Sequence, residues 1–494
     1  MQYYIGYQKL FSKKLTPESN KMIDNKKTKI VATIGPASES LEMLEKLAVA
    51  GMNVMRLNFS HGDYAEHGGR IATGRKLAKK LGQPIAILQD LPGPKIRIGE
   101  FYQDRVMLKK GDKFVLTTVK KVGDENGAYI NYKKLPQEVK KDSVIFLDDG
   151  KKKLVVEKIK GEEIHCRIVV GGETKGKRGV NVPGAYLSIS SLTPADKKHV
   201  AFGIEQGVDF MALSFVRRAK DIKDLRKILI EKKADISIIA KIETTEAIEN
   251  IDEIIKEADG VMVARGDLAV EVPKEQVPVL QKMIIAKCNE LGKPVITATQ
   301  MLESMIKDSV PTRAEVSDVA NAIFDGTDAV MLSEETTLGV DPENVVRTMA
   351  EIALHTEQFI DHDQSLRDEY LTGKKITDAT SFAALTIATE VDAKKIVALS
   401  NSGFTARMIA RYKPAQPVLV ITPNEKTYNR LALSFGCQSY IYDKEFDQLS
   451  NVIDQVKKIV TERKRIKKGD KIVISAGIPF GKSSITNTLS VQTL

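Results

Sequence analysis

Lys241 and Glu243 stand two residues apart at the end of the run SIIAKIE, and Arg265 and Asp267 follow the run GVMVA. Arg56, Asn58, Ser60 and His61 crowd the end of a third run, and Asp90 ends a fourth. Ser214 with Arg217, Thr299 with Gln300, and Ser333 with Glu334 and Glu335 close three more. One such ending is weak evidence, but polar groups after nearly every apolar run describe a charged, convergent pocket. Glu243 and Asp267 end neighbouring runs, so both carboxylates can reach one ion. Hard oxygen donors, few in number and without Cys or paired His, suit magnesium or manganese. Arg56, Arg97, Lys241 and Arg265 add positive charge. Carboxylates, a divalent ion and several cations together suit an anionic phosphorylated substrate and phosphoryl transfer. A ring of structural salt bridges gives no reason for charge to converge in this way.

The elements that must position these groups are short apolar or β-branched runs. They predict strands at Lys29–Ile34, Asn53–Asn58, Ile85–Gln89, Asp209–Phe215, Ser237–Ile242, Gly260–Ala264, Pro294–Ala298 and Asp328–Leu332. Helical periodicity fills the intervals, as in Ser40–Ala50 and Gln276–Leu291. Near-continuous apolar strands imply a parallel sheet buried on both faces. Eight of them, each feeding a helix, predict an α/β fold of the (β/α)8 TIM-barrel class, whose functional groups gather where the strands end. The expected barrel comprises residues 28–95 and 189–357. The interval 96–188 has a different texture. MLKKGDKFVLTT, DSVIFLDDG, KKLVVEKI and EEIHCRIVV alternate or run β-branched between Gly, Asp and Asn turns, predicting an inserted all-β lid domain. Residues 358–494 read as a second α/β domain, with Asp361–Lys374 as a polar linker and TNTLSVQTL as an edge strand.

The 494 residues allow roughly two to four domains. With 42% hydrophobic and 28% charged residues, the chain is of the globular class, neither wholly disordered nor fibrous. No apolar run has the length of a membrane-spanning helix. The net charge of +10 sits mainly in residues 1–29 and 100–180, without aromatic platforms and without Trp, which excludes a nucleic-acid partner. Residues 1–27 read as an N-terminal extension, with Met22 placed where a chain start would fit. Its first 21 residues make a poor secretory signal. Three widely spaced cysteines fit a reducing, cytoplasmic location.

The blocks KIVATIGPAS, VMRLNFSHG, GPKIRIG, GVNVPG, AKIET, GVMVARGDLAVE, KPVITATQMLESM, PTRAEVSDVANAIFDGTDAVMLSEET and GKSSITN closely resemble pyruvate kinases, in order from about Lys27 to the C-terminus. The resemblance implies a barrel, a β lid, a regulatory C-terminal domain and a homotetramer. It implies phosphoryl transfer from phosphoenolpyruvate to ADP, giving pyruvate and ATP in glycolysis. It casts Lys241 as the cation beside the phosphoryl group in flight, and Glu243 and Asp267 as the ligands of the divalent ion. Ala264, Arg265 and Gly266 would bind the substrate carboxylate through backbone N–H groups, and Thr299 would line the face where the enolate is protonated. Arg56 and Arg97 would bind phosphate oxygens. Asn58 and His61 would line the nucleotide wall with Ser60, and Asp149 and Arg178 would approach the nucleotide from the lid. A metal-dependent aldolase explains neither the lid nor the Lys241–Glu243 pair. An inert scaffold has no reason to keep every expected catalytic residue.

Three positions depart from the family pattern. Potassium-dependent members hold the ion at positions that match Asn58, Ser60, Asp90 and Leu91, and carry a Glu where this chain has Lys95. The resemblance is to the potassium-independent branch, with the Lys95 ammonium supplying the charge and potassium not required; the alternative is a solvent-facing Lys95. In SNSGFTARMIARYKP, Ser400, Ser402, Gly403 and Thr405 match a phosphorylated-effector loop. Phe404 and uncharged Asn401 argue there against a sugar bisphosphate, leaving a monophosphate, a nucleotide or no effector. Finally, Glu334 stands where many members have Gly, with no role assigned.

Overall fold

The run KIVAT is apolar but for its ends, and as the strand Lys29–Thr33 it is buried along its whole length. The same holds for Phe210–Leu213, Gly260–Ala264, Val295–Ala298 and Ala329–Leu332. Strands of this kind need cover on both faces, which a parallel sheet ringed by helices provides. In the computed structural model, which describes residues 26–362, 375–442, 449–463, 466–479 and 485–494, these five join Val54–Asn58, Ala86–Leu91 and Ser237–Ile242. The eight close into a barrel in which each strand neighbours the next in sequence. The pairing is parallel where registers run, for example Phe210 opposite Leu88 and Lys241 opposite Met262. The expected N-terminal extension up to residue 25 and most of the polar linker lie outside the described residues.

The described residues form two compact units, one of residues up to 55, 70–86 and 301 onward, the other of 56–69 and 87–300. In the second unit the interval after the third barrel strand is the expected β module. A six-stranded sheet and a two-stranded sheet alternate inward and outward residues around a core that includes Phe114, Leu116, Ile145, Leu154 and Ile168. Its one helical turn, Leu135–Glu138, was not expected; Pro136 at its start favours it. The chain returns to the barrel at the helix Pro194–Glu205. There Thr193 caps the Asp196 N–H while the Asp196 carboxylate accepts the Thr193 N–H, a reciprocal capping box.

In the first unit, residues after 375 form a five-stranded sheet in the order Cys437–Ile441, Val418–Thr422, Lys395–Leu399, Lys471–Ala476, Thr488–Thr493. The first four are parallel and the last is an antiparallel edge, as the TNTLSVQTL segment predicts. The helix expected over Lys426–Phe435 divides into Glu425–Arg430 and the 3-10 turn Leu431–Leu433.

Candidate active site

The rim chemistry gathers in the second unit. Arg56, near the end of the second barrel strand, donates from Nε to Asp90 Oδ2 at 2.7 Å. Lys241 places its Nζ 3.3 Å from Asp90 Oδ1, 2.9 Å from Glu243 Oε1 and 2.7 Å from Ser214 Oγ. All these residues except Lys241 are buried by whole-residue exposure, and the Lys241 side chain is only 12% exposed. Burial alone would push the Lys241 ammonium toward neutrality, but Asp90 and Glu243 outweigh it and hold its pKa above the ordinary lysine range. Asp90 shows the mirror effect: burial raises its pKa, Lys241 and Arg56 lower it, and the net shift is downward. An ammonium held above its ordinary range and a carboxylate held below its own thus share one buried corner of the barrel mouth.

Glu243 is fixed by the Phe215 N–H, which donates to Oε2 at 2.7 Å. Its Oε1 is paired with the Lys241 ammonium at 2.9 Å, and a carboxylate oxygen so paired keeps lone-pair capacity for a cation. The Asp267 carboxyl is pushed up to about 6, first by burial and then by the Glu243 charge. A half-buried carboxylate whose ionisation is opposed by a neighbouring buried carboxylate fits a cation shared with that neighbour. No cluster of three or more His, Cys, Asp or Glu side chains among the described residues is arranged to hold a metal. Glu243 and Asp267 supply two hard oxygen donors, a set that suits an ion keeping water or substrate oxygens in its shell.

Asp267 lies in the first turn of the helix Arg265–Glu271, and the expected carboxylate cradle Ala264–Gly266 is the start of that helix. The Gly266 N–H donates to Thr299 Oγ1 at 2.9 Å, and Arg265 donates from Nη2 to the Thr299 carbonyl at 2.7 Å. Thr299 has φ +75°, a left-handed backbone that a β-branched residue rarely adopts. Its hydroxyl is thus held against the cradle rather than turned away from it.

The remaining expected residues are less tightly gathered. Asn58 accepts the Ser60 N–H at 3.1 Å, the His61 carbonyl meets His67 Nε2 at 2.9 Å, and the Leu91 carbonyl accepts Ser214 Oγ at 2.7 Å. Lys95 is exposed and is not brought onto Asn58, Ser60 or Asp90; its charge acts instead on Asp267, lowering that pKa. Asp149 acts on Asp267 from the inserted module and raises it, while Arg178 pairs with Asp148 at 3.3 Å. Arg97 is exposed, bridged through its backbone to Gly179.

In the first unit, Thr405 Oγ1 accepts from Thr486 Oγ1 at 2.8 Å, Gly403 has φ +74°, and Ser400 is buried while Ser402 is exposed. Glu334 is exposed; its neighbour Glu335 is the buried one, accepting the Ser333 N–H at 2.6 Å.

Sequence reasoning placed Ser214 among the strand-end polar groups without a role; it sits beside Lys241. Two further groups were missed. Glu271, pushed up to about 7 chiefly by burial, accepts from Asn181 of the inserted module at 3.2 Å. Arg407 reaches back to the Ser402 carbonyl at 3.1 Å, bringing a cation to a loop that reads as uncharged.

Two family models match the chain in order: pyruvate kinase, barrel domain, over residues 25–346, and pyruvate kinase, alpha/beta domain, over residues 378–492. A pyruvate kinase of Clostridium acetobutylicum is 44% identical over 469 residues, covering 94% of this chain and 99% of that protein. One of Geobacillus stearothermophilus is 46% identical over 476 residues, covering 95% of this chain and 80% of its own length. The crystal structure of a pyruvate kinase from Cryptosporidium parvum matches with a TM-score of 0.90 at 33% identity, over 97% of this chain and all of the other. With both halves matched in sequence and the whole matched in shape, the chain belongs to the pyruvate kinase family.

Proposed function

We propose that this chain transfers the phosphoryl group of phosphoenolpyruvate to ADP through the Lys241–Glu243–Asp267 site. The observation that carries the reading is the largely buried Lys241 ammonium, held charged by Asp90 and Glu243, with the half-buried Asp267 carboxylate acting on it as a third anion. In the reaction the bond between phosphorus and the enol oxygen breaks, a bond to an ADP β-phosphate oxygen forms, and the enolate carbon takes a proton. Lys241 neutralises the oxygens of the phosphoryl group in flight, and Arg56 binds the same oxygens. Glu243 and Asp267 hold magnesium or manganese, which when bound supplies charge stabilisation to the enolate oxygen and the phosphates. The backbone N–H groups of Ala264, Arg265 and Gly266 bind the substrate carboxylate. Thr299 Oγ1 accepts the Gly266 N–H and donates to the Ala298 carbonyl at 2.7 Å, so a substrate carboxylate that takes the Gly266 N–H frees an acceptor position on Oγ1 to orient a water that protonates the enolate. Asn58, His61, Arg97, Asp149 and Arg178 form the nucleotide side.

The finer features belong to the same reading. The barrel spans 28–95 and 189–357, the lid 96–188 and the regulatory domain 358–494. Potassium is not required, because protein donors already serve Asn58, Asp90 and the Leu91 carbonyl, and Lys95 adds a fixed charge. The protein is a cytoplasmic homotetramer with a phosphorylated effector at the Ser400–Thr405 loop. No helix of the described residues is long and apolar enough to cross a membrane. The test is pyruvate formation from phosphoenolpyruvate, with and without ADP and with the divalent ion chelated. Production that needs both ADP and the ion supports the reading; none under full conditions refutes it.

A further inference from the structure

The turn Ser214–Arg217, after the fourth barrel strand, touches the candidate metal carboxylate on one side and the strap returning from the inserted module on the other. On the site side, Ser214 Oγ accepts from Lys241 Nζ at 2.7 Å and the Phe215 N–H donates to Glu243 Oε2 at 2.7 Å. On the strap side, the Phe215 carbonyl accepts Ser191 Oγ at 2.7 Å. The Arg217 guanidinium donates to the carbonyls of Leu187, at 2.5 Å, and Ile189, and to Ser191 Oγ at 3.4 Å. The strap has no helix or strand of its own over residues 187–191.

Arg217 is buried, and no carboxylate is among the partners of its guanidinium in the described residues. A buried guanidinium is costly unless its N–H groups are donated, and here they are donated to strap oxygens. Its planar fork spans two carbonyls two residues apart, which the point charge of lysine cannot do. The Arg217 backbone is anchored separately: its N–H donates to Asp221 Oδ2 at 2.9 Å and its carbonyl accepts Asn250 Nδ2 at 3.1 Å. Between these anchors, Phe215 has φ +54°, a left-handed conformation that is an outlier for a bulky side chain. Such a conformation persists only where its surroundings hold it, and it aims the N–H at Glu243.

We propose that Arg217 is a positioning residue: by gripping the strap of the inserted module it holds the Phe215 turn, and through the Phe215 N–H it orients Glu243 for the divalent ion. The proposal rests on the reading of Glu243 as a ligand of that ion. Strap position and ion affinity are then linked, and by reciprocity bound ion steadies the strap.

The probe is manganese binding to the full chain without substrates, read from the loss of the free-ion electron paramagnetic resonance signal. Arg217→Lys keeps the charge and loses the fork; the dissociation constant should rise about three- to ten-fold, the effect of one or two lost hydrogen bonds. Amide exchange over residues 187–191 should quicken in the same variant. Ser191→Ala, a milder change, should weaken manganese binding by about two-fold. A purely structural Arg217 would lower the melting temperature and leave manganese affinity at the wild-type value in both variants, which overturns the proposal. If Arg217→Lys does not fold, Ser191→Ala decides alone. Glu243→Gln separates the two levels. Unchanged manganese binding there removes Glu243 from the ion site and the proposal with it. Weakened binding there, with wild-type affinity in the other two, overturns only the coupling.

Discussion

Lys241 Nζ lies 3.3 Å from Asp90 Oδ1, and the other oxygen of Asp90 is held at 2.7 Å by Arg56. Asp90 therefore orients both cations that the reading assigns to the phosphoryl group. The outcome is a pair of charges fixed before substrate arrives, so little reorganisation is needed when charge moves in the reaction.

Asp90→Asn should test this orientation. It keeps the shape, removes the charge and leaves two buried cations without their shared anion. Turnover should fall by about ten- to a hundred-fold, the loss of one charge-assisted interaction. Measuring kcat and KM for phosphoenolpyruvate with wild-type values for both would show that Asp90 does not set the cations.

The pH dependence of ion binding follows from Asp267, whose pKa is pushed up to about 6 by burial and by Glu243. Below that pH the carboxyl carries a proton that an incoming divalent ion must displace; well above it no proton is released. The manganese dissociation constant should be flat above about pH 7 and rise about tenfold per unit below about pH 6. Titrations across that range would check it, and Asp267→Asn should weaken binding and flatten the profile. A flat wild-type profile would contradict the assignment.

The barrel was legible because its strands are buried on both faces, so Phe210–Leu213 and Ala329–Leu332 read as unbroken apolar runs. The inserted module was legible for the opposite reason: alternation around Phe114, Leu116 and Ile168 marks sheets with one buried face. Lys241, Glu243 and Asp267 could be picked out because charge at the end of an apolar strand is conspicuous. Ser214 was named with the other strand endings, but its role was not legible, since a serine there looks like any strand end until Lys241 is seen beside it. The Thr299–Gly266 hydrogen bond depends on a left-handed backbone at Thr299 that its β-branched type argues against. The division of the helix expected at Lys426–Phe435 shows the usual weakness of periodicity near a helix end.

Potassium independence should appear as a nearly full rate in sodium or tetramethylammonium buffer. Lys95 is exposed and acts on Asp267 through its charge. Lys95→Glu reverses that charge and should lower activity, with partial rescue by potassium. A wild-type rate that rises many-fold on adding potassium would show that the fixed charges do not serve in its place.

An effector at the Ser400–Thr405 loop should shift the phosphoenolpyruvate saturation curve. Thr405 shares its hydroxyl with Thr486, and Arg407 brings a cation to the Ser402 carbonyl. Thr405→Ala and Arg407→Ala should each reduce the shift produced by a phosphorylated metabolite. A screen of sugar phosphates and adenine nucleotides with no shift in the wild type would remove the loop from regulation.

The most direct test of the site is phosphorus NMR of the transfer itself, comparing the wild type with Lys241→Met. With phosphoenolpyruvate, ADP and magnesium, the wild type should convert the phosphoenolpyruvate resonance into the γ-phosphate of ATP. Lys241→Met, folded by circular dichroism, should lose a factor on the order of 10³ or more, as positioned cations do in phosphoryl transfer. Transfer by Lys241→Met at near the wild-type rate would contradict the account.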